Sequence, residues 1–346
     1  GFNIAGNISV NRVIDLLTGE INIPASSTLK INNDAVINRT EGSLNGTPAF
    51  TGKYNLNYYA SVTTGAEITS SANALNNLTI DLDGNITLSK SVDINNTLTL
   101  NNGKIITNDF EVNLKNNSAK SLKGFSYSNY IVGNLRRSVN GKSTYSFPVG
   151  TIDNYELATV DLSKTEGFTN LTAHFSTANP DATKLTAGIR LNGSPVNKLL
   201  DNGYWTIAPN QPLTSGFYNV TLNQKGQSNN ASSERSYCLL KRDDVSATWN
   251  FNGKHSMKSQ DEKQGTVTAA RFRMNSFGDL AIGYSPVSLL LYQSSFTATL
   301  NENKFAELVW RTSVENKYQS LIAERSSDSF NYTPIGSLIE KNEKGN

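Results

Sequence analysis

Cysteine and histidine are almost missing from this chain of 346 residues, which has one Cys and two His. A single thiol, Cys238, excludes an internal disulfide and a cysteine-built metal cluster, and a lone cysteine in a strand-like run is expected to be buried. His174 and His255 lie far apart, and no G-x-S-x-G turn accompanies them. Neither a zinc ligand set nor a nucleophile and base can be assembled from them, so each reads as structural. Long apolar runs are absent too. No stretch reaches the ~18 residues that a membrane-crossing helix needs. The net charge is only +2, with Lys and Arg scattered, so no basic stripe offers itself to nucleic acid or an anionic membrane. No glycine-rich phosphate loop opens a helix, which sets nucleotide binding aside. Arg136 and Arg137 in "LRRS" read as surface ion-pairing residues.

Asn, Ser, Thr and Gly are plentiful, and the apolar residues, 37% of the total, arrive in threes and fours. That mixture suits thin β-structure rich in turns. The length suits two or three domains. The chain starts at Gly1 with neither a start methionine nor a signal peptide and stops at Asn346 in a polar run, and it reads as a piece of something processed or longer.

"NNLTIDLDGNITLSKSVDI" (76–94) overlays "NNTLTLNNGKIITNDFEVNL" (95–114) at a shift of about 20 residues. Leu78 and Ile80 then fall on Leu98 and Leu100, Gly84 on Gly103, Ile86 on Ile105 and Val92 on Val112. Short strands with Asn or Gly at the corners, repeating at that period, predict a parallel β-solenoid whose inward aliphatic side chains stack from coil to coil. Upstream, Ile21, Ile23, Leu29, Ile31, Val36 and Ile37 are inward candidates of the same kind. The intervening "GTPAFTGKYNLNYYASVTTGAEI" is aromatic and less periodic. It reads chiefly as a looped-out coil or strand pair, and otherwise as a ligand-binding platform of Tyr54, Tyr58 and Tyr59 for stacking sugar rings.

From about residue 121 the repeat is lost. About ten longer strand candidates follow, from "SNYIVGNLRRSV" to "LAIGYS", with no amphipathic helix between them. They predict an antiparallel sandwich, with Pro148, Pro180, Pro195, Pro209 and Pro212 at segment ends. Beyond residue 285, "SLLLYQSSFTATL", "FAELVWRTS" and "YQSLIAERS" read as the first strands of an immunoglobulin-like or fibronectin type III-like module with Trp310 as its core aromatic. About 60 residues are too few for seven strands, so the module is expected to be incomplete. The expected organisation is therefore all-β: solenoid 1–120, sandwich 121–285, partial module 286–346.

The order of "NNLTI...LTLNNGKI", "SNYIVGNLRRSVNGKSTYSFPVG", "GYWTIAP", "SFGDLAIGYSP" and "LVWRTSVENKYQSLIAERSSDSFNYTPIG" resembles large surface proteins of Bacteroidota exported by the type IX secretion system. It resembles the region ahead of their C-terminal sorting domain. The family's "NNDYFEIERS" segment reads "ENKYQSLIAERS" here, without its aspartate. The resemblance implies an extracellular, outer-surface, adhesin-like protein. It also implies the secretion machinery as a partner during export and surface glycans or other cells as working partners.

Solenoid enzymes set carboxylates and basic residues side by side on neighbouring coils. The nearest candidates, Asp81 and Asp83 in "DLDG", read as a strand leaving for a turn, and no regularly spaced acidic loop makes them a calcium site. Thr79, Thr87, Thr97 and Thr99 are expected on different strands of the coil, which would not form the ranked array of an ice-binding face. The sequence thus points to no catalytic residue, no metal and no cofactor, and to a non-enzymatic adhesin or stalk. The competing reading is a carbohydrate-binding or carbohydrate-degrading protein whose active part lies elsewhere.

Overall fold

The computed structural model describes residues 1–69, 74–191, 194–229, 236–285, 293–300, 305–312, 321–327 and 332–338. The chain divides into two compact units, Gly1–Ser288 and Leu289–Asn346.

The first unit begins as a stack of three-sided coils. The first coil is β1 (Phe2–Asn3), β2 (Asn7–Val10) and β3 (Val13–Leu16). The second is β4 (Glu20–Asn22), β5 (Thr28–Ile31) and β6 (Val36–Arg39), and the third is β7 (Ser43–Asn45), β8 (Ala49–Phe50) and β9 (Tyr54–Tyr58). Strands of equal rank pair in parallel, β1 to β4 to β7, β2 to β5 to β8 and β3 to β6 to β9. The stack continues through β10 (Leu75–Thr87), β11 (Val92–Ile94), β12 (Thr97–Leu114), β13 (Leu122–Lys123) and β14 (Ile131–Ser138). This is the solenoid that the repeat predicts. Leu78 pairs with Leu98, Ile80 with Leu100, Ile86 with Ile105 and Val92 with Val112, the register read from the repeat. All eight side chains are fully buried. Burying one such aliphatic group is worth about 1.5–3 kcal/mol, and the period of two along each strand repeats the gain on every coil.

The corners explain the glycines. Gly84 and Gly103 have φ of +128° and +88°. A Cβ on Gly103 would stand 2.7 Å from the carbonyl oxygen of Leu82 and 2.8 Å from that of Gly84, so stacked corners leave no room for a side chain. Upstream, Leu29, Ile31 and Ile37 are buried as expected, and Ile21 and Ile23 pack partly against the core. Val36 faces outward instead. The inward set is Ile37 and Arg39 of β6, with Ala35 just ahead of it, because a strand alternates and two adjacent residues cannot share a face.

At β14 the pairing changes sense. One edge of β14 lies parallel to β12, and the other pairs antiparallel with β17 (Asn170–Ser176) through Leu135 to Ala173 and Arg137 to Leu171. In chain order the remaining strands are β15 (Thr144–Gly150), β16 (Tyr155–Glu166), the short β18 (Arg190–Leu191), β19 (Ser194–Pro195) and β20 (Lys198–Leu199), then β21 (Tyr204–Pro209), β22 (Ser215–Lys225), β23 (Ser236–Arg242), β24 (Lys254–Lys263), β25 (Thr266–Met274) and β26 (Gly278–Ser285). Two antiparallel series result: β17, β21, β26 and β23 follow β14, while β15 leads to β16, β22, β25 and β24. Their inward residues, among them Phe147, Val160, Phe175, Trp205 and Leu222, belong to the same buried cluster as the solenoid aliphatics. A second, smaller cluster around Cys238, Leu240 and Trp249 forms beside Tyr204 and Leu191.

Several local expectations change. "ATWNFNG" forms only isolated bridges at Trp249 and Asn250 rather than a strand. Pro148 lies within β15, at a point where that strand has β16 alone as its ladder partner. Arg136 makes the expected surface ion pair, with Glu111 at 2.9 Å. Arg137 turns the other way and is fully buried, donating to the carbonyl oxygens of Ser146 (2.8 Å) and Ala119 (3.0 Å). Adjacent strand residues face opposite sides, and burial pulls the Arg137 guanidinium down to about 10.

The second unit contains two antiparallel hairpins, β27 (Gln293–Leu300) with β28 (Ala306–Thr312) and β29 (Leu321–Arg325) with β30 (Thr333–Leu338). Trp310 lies in β28 opposite Phe296, and the packing of its side chain lies outside what is described.

Candidate functional site

The tyrosine platform does not form. Tyr54, Leu56 and Tyr58 are the inward residues of β9 and are fully buried, whereas Tyr59 is 46% exposed on the other side of the sheet. Tyrosine can occupy a solenoid core when its hydroxyl is satisfied there, and both hydroxyls find the segment that follows β9. Tyr58 donates to Oε1 of Glu67 at 2.7 Å, and Tyr54 donates to the Glu67 carbonyl oxygen at 2.7 Å. The same carboxylate accepts the Gly65 amide at 2.8 Å and the Nη1 of Arg39, while Arg39 Nε donates to Gly42 O at 2.9 Å. Burial and the neighbouring Glu67 push the Tyr58 hydroxyl far above its ordinary range. These groups pin the segment after β9 onto the coil and offer no face to a sugar.

What the solenoid does offer outside is a ranked polar sheet. Cross-strand pairing sets Asp15, Asn38, Asn57, Thr79, Thr99 and Lys123 in one row across six strands, and Asn55, Asn77 and Thr97 in the next. Thr79 and Thr99 are therefore stacked, as Asn77 and Thr97 are, contrary to the expectation that they scatter around the coil. Asn and Asp interrupt the row, so no array of threonines builds up. Side-chain amides climb the stack: Asn116 donates to Asn96 (3.1 Å), Asn96 to Asn77 (2.9 Å) and Asn77 to Asn55 (2.7 Å). A second ladder runs from Asn57 to Asn38 (2.9 Å) and Asn38 to Asp15 (2.8 Å). Strands stand about 4.8 Å apart, which is the spacing a side-chain amide needs to reach its neighbour. Asp81 and Asp83 face outward on β10, exposed to solvent.

A polar rung crosses the antiparallel strands. His174 pairs with Thr206, Thr206 with Asp279 and Asp279 with Arg242, one residue from each of β17, β21, β26 and β23. Thr206 donates to Oδ1 of Asp279 at 2.7 Å and Arg242 Nε to Oδ2 at 2.9 Å. The Arg242 guanidinium lies over the rings of Tyr204 (4.7 Å) and Trp249 (4.3 Å), so it is clamped by cation–π contacts. Burial lowers the His174 imidazole, and Asp279 opposes that shift. Beside the rung opens a groove of about 400 Å³, lined by Asp279, Asp243, Asn275, Phe277, Pro209 and Pro212. Both oxygens of Asp279 are already engaged, which suits a structural carboxylate better than a general base. Sequence reasoning missed the rung because its members are isolated polar residues on four strands, and only the pairing brings them together. His255 lies apart from it on β24, its imidazole lowered by burial to about 4. Cys238 is buried as expected.

Among the described residues, no group of three His, Cys, Asp or Glu converges to hold a metal, and no helix is long and apolar enough to cross a membrane. No protein-family model, curated protein or solved structure matches the chain.

Proposed function

We propose that the chain is a non-catalytic stalk or adhesin segment of a secreted cell-surface protein. The observation that carries this reading is the unbroken ladder of paired strands. It runs from β3 through β6, β9, β10, β12 and β14 into β17, β21, β26 and β23. Detaching the first coil from the second, or the second from the third, breaks three parallel ladders and opens a shared core, which gives a stiff body able to hold a recognition surface at a distance. Export by the type IX secretion system, an outer-surface location and the secretion machinery as partner rest on the sequence resemblance, which covers most of residues 76–346 and is most specific over 308–336. Surface glycans or other cells are the proposed working partners.

The groove beside Asp279 favours a second reading, a carbohydrate-binding segment, since Phe277 and the prolines give it apolar walls around a few polar groups. The test is a panel of bacterial, algal and plant polysaccharides incubated with the purified chain, followed by pull-down and assay of new sugar ends. The stalk or adhesin predicts no new ends. Retention on a glycan that Phe277→Ala abolishes would move the assignment to the binding reading, and release of new ends would overturn the non-catalytic one.

A further inference from the structure

The inner face of β16 carries Glu156, Ala158, Val160 and Leu162, all buried, and that of β22 carries Tyr218, Val220, Leu222 and Gln224, also buried. Six of these eight positions hold residues that a core accepts readily, and the two polar ones come at the same end. Leu157 pairs with Asn223, so one step further along the ladder sets Glu156 across from Gln224. Residues directly opposite in an antiparallel pair bring their Cβ atoms to about 5 Å.

The hydrogen bonds around this pair leave a specific deficit. Glu156 Oε2 accepts the Lys225 amide at 3.0 Å, and Gln224 Nε2 donates to Gly203 O at 3.1 Å and to Asn202 Oδ1. Glu156 Oε1 and Gln224 Oε1 are both buried with no hydrogen-bond partner. Two buried acceptors on residues set opposite each other in the ladder can be satisfied together by one added proton.

We infer that Glu156 is a neutral carboxylic acid whose proton is donated to Oε1 of Gln224, closing a proton-dependent latch between β16 and β22. The surroundings fit a neutral acid. Burial pushes the Glu156 carboxyl up to about 9, against the opposing amide and charge of Lys225. The other titratable groups here are Tyr130, Tyr155, Asp153 and Lys104. The Tyr130 hydroxyl is bonded to Thr151 O at 2.9 Å, its ring is 5.3 Å from that of Tyr155, and Lys104 Nζ lies 4.7 Å over the same ring. Burial, and after it Asp153 and Glu156, raises Tyr130, and Lys225 is the one cation acting on Glu156 itself.

The folded acid holds its proton to about pH 9, whereas the unfolded one releases it near its ordinary value of 4.5. The latch is therefore fully present below the unfolded value and is lost as pH rises toward the folded one. The test compares the wild-type chain with Glu156→Gln by denaturant unfolding from pH 6 to 9.5 at constant ionic strength. The wild-type folding constant should fall by up to about tenfold per pH unit relative to Glu156→Gln, whose amide keeps the same bonds without a titrating proton. In parallel, difference infrared spectra of the wild-type chain at pH 7 should show a protonated carboxyl band that Glu156→Gln lacks and that shifts in Gln224→Leu. Parallel pH profiles for the two proteins, or an ionised Glu156 at pH 7, would overturn the latch. An unshifted band in Gln224→Leu would overturn Gln224 as the acceptor. The spectra decide the question on wild-type protein alone if Glu156→Gln does not fold.

Discussion

Arg39 and Glu67 make the sharpest stability test in the solenoid. Arg39 is nearly buried on the inward face of β6, and Glu67, fully buried, arrives from the segment after β9. Replacing Arg39 with Met keeps the volume and the apolar stem but leaves the Glu67 carboxylate with only Tyr58 and Gly65 as donors and no cation. Breaking a buried pair in this way costs about 3–5 kcal/mol, because the surviving charge keeps its desolvation penalty. Glu67→Gln strands the Arg39 guanidinium and is expected to cost a similar amount. The double variant Arg39→Met with Glu67→Gln removes both charges and should cost well below the sum, with a coupling of about 1–3 kcal/mol. Urea unfolding followed by circular dichroism at pH 7 reads all four corners of the cycle. Arg39→Met within about 1 kcal/mol of wild type, or strict additivity in the double variant, would refute the assignment of this pair as the pin of the segment after β9.

Other sites give independent checks. Gly103→Ala should cost at least about 2 kcal/mol in the same unfolding assay, since it places a Cβ at positive φ against two backbone oxygens that cannot move aside. Asn77→Ala, in the middle of its ladder, removes two amide bonds and should cost about 1–2 kcal/mol, whereas Asn55→Ala at the end of the same ladder removes one and should cost about half as much. Burial pushes the Cys238 thiol up to about 12, so the native chain should resist maleimide at pH 7 and react fully in denaturant, as mass spectrometry would show.

The solenoid was legible because its information is local and repeated. A shift of about 20 residues brings Leu78 onto Leu98 and Ile86 onto Ile105, and the physical stack uses that same register. Where the pattern is carried by aromatic or charged residues, periodicity misleads. Tyr54 and Tyr58 obey the alternation of β9 perfectly, but their hydroxyls hide in the core only because Glu67, nine residues beyond Tyr58, comes back to meet them. Arg39 and Arg137 occupy inward positions for the same kind of reason, each bonded to backbone carbonyls that no sequence pattern marks. The rung from His174 to Arg242 was illegible for a different reason. Antiparallel pairing between β17, β21, β26 and β23 depends on which strands become neighbours, and turn residues fix where strands end without saying which strand lies alongside.

Strand β14 is read twice, once by the coil beneath it and once by the first antiparallel strand beside it. A slip of one residue anywhere in the preceding coils would reach β14 as an exchange of its faces, turning Leu135 outward and Arg136 inward. The antiparallel ladder with β17 would then align the inward Ala173 and Leu171 with residues of the wrong face. The solenoid thus acts as a ruler laid down coil by coil. The strands after β14 proofread it, since they can close over a common core only if every earlier coil has been counted correctly.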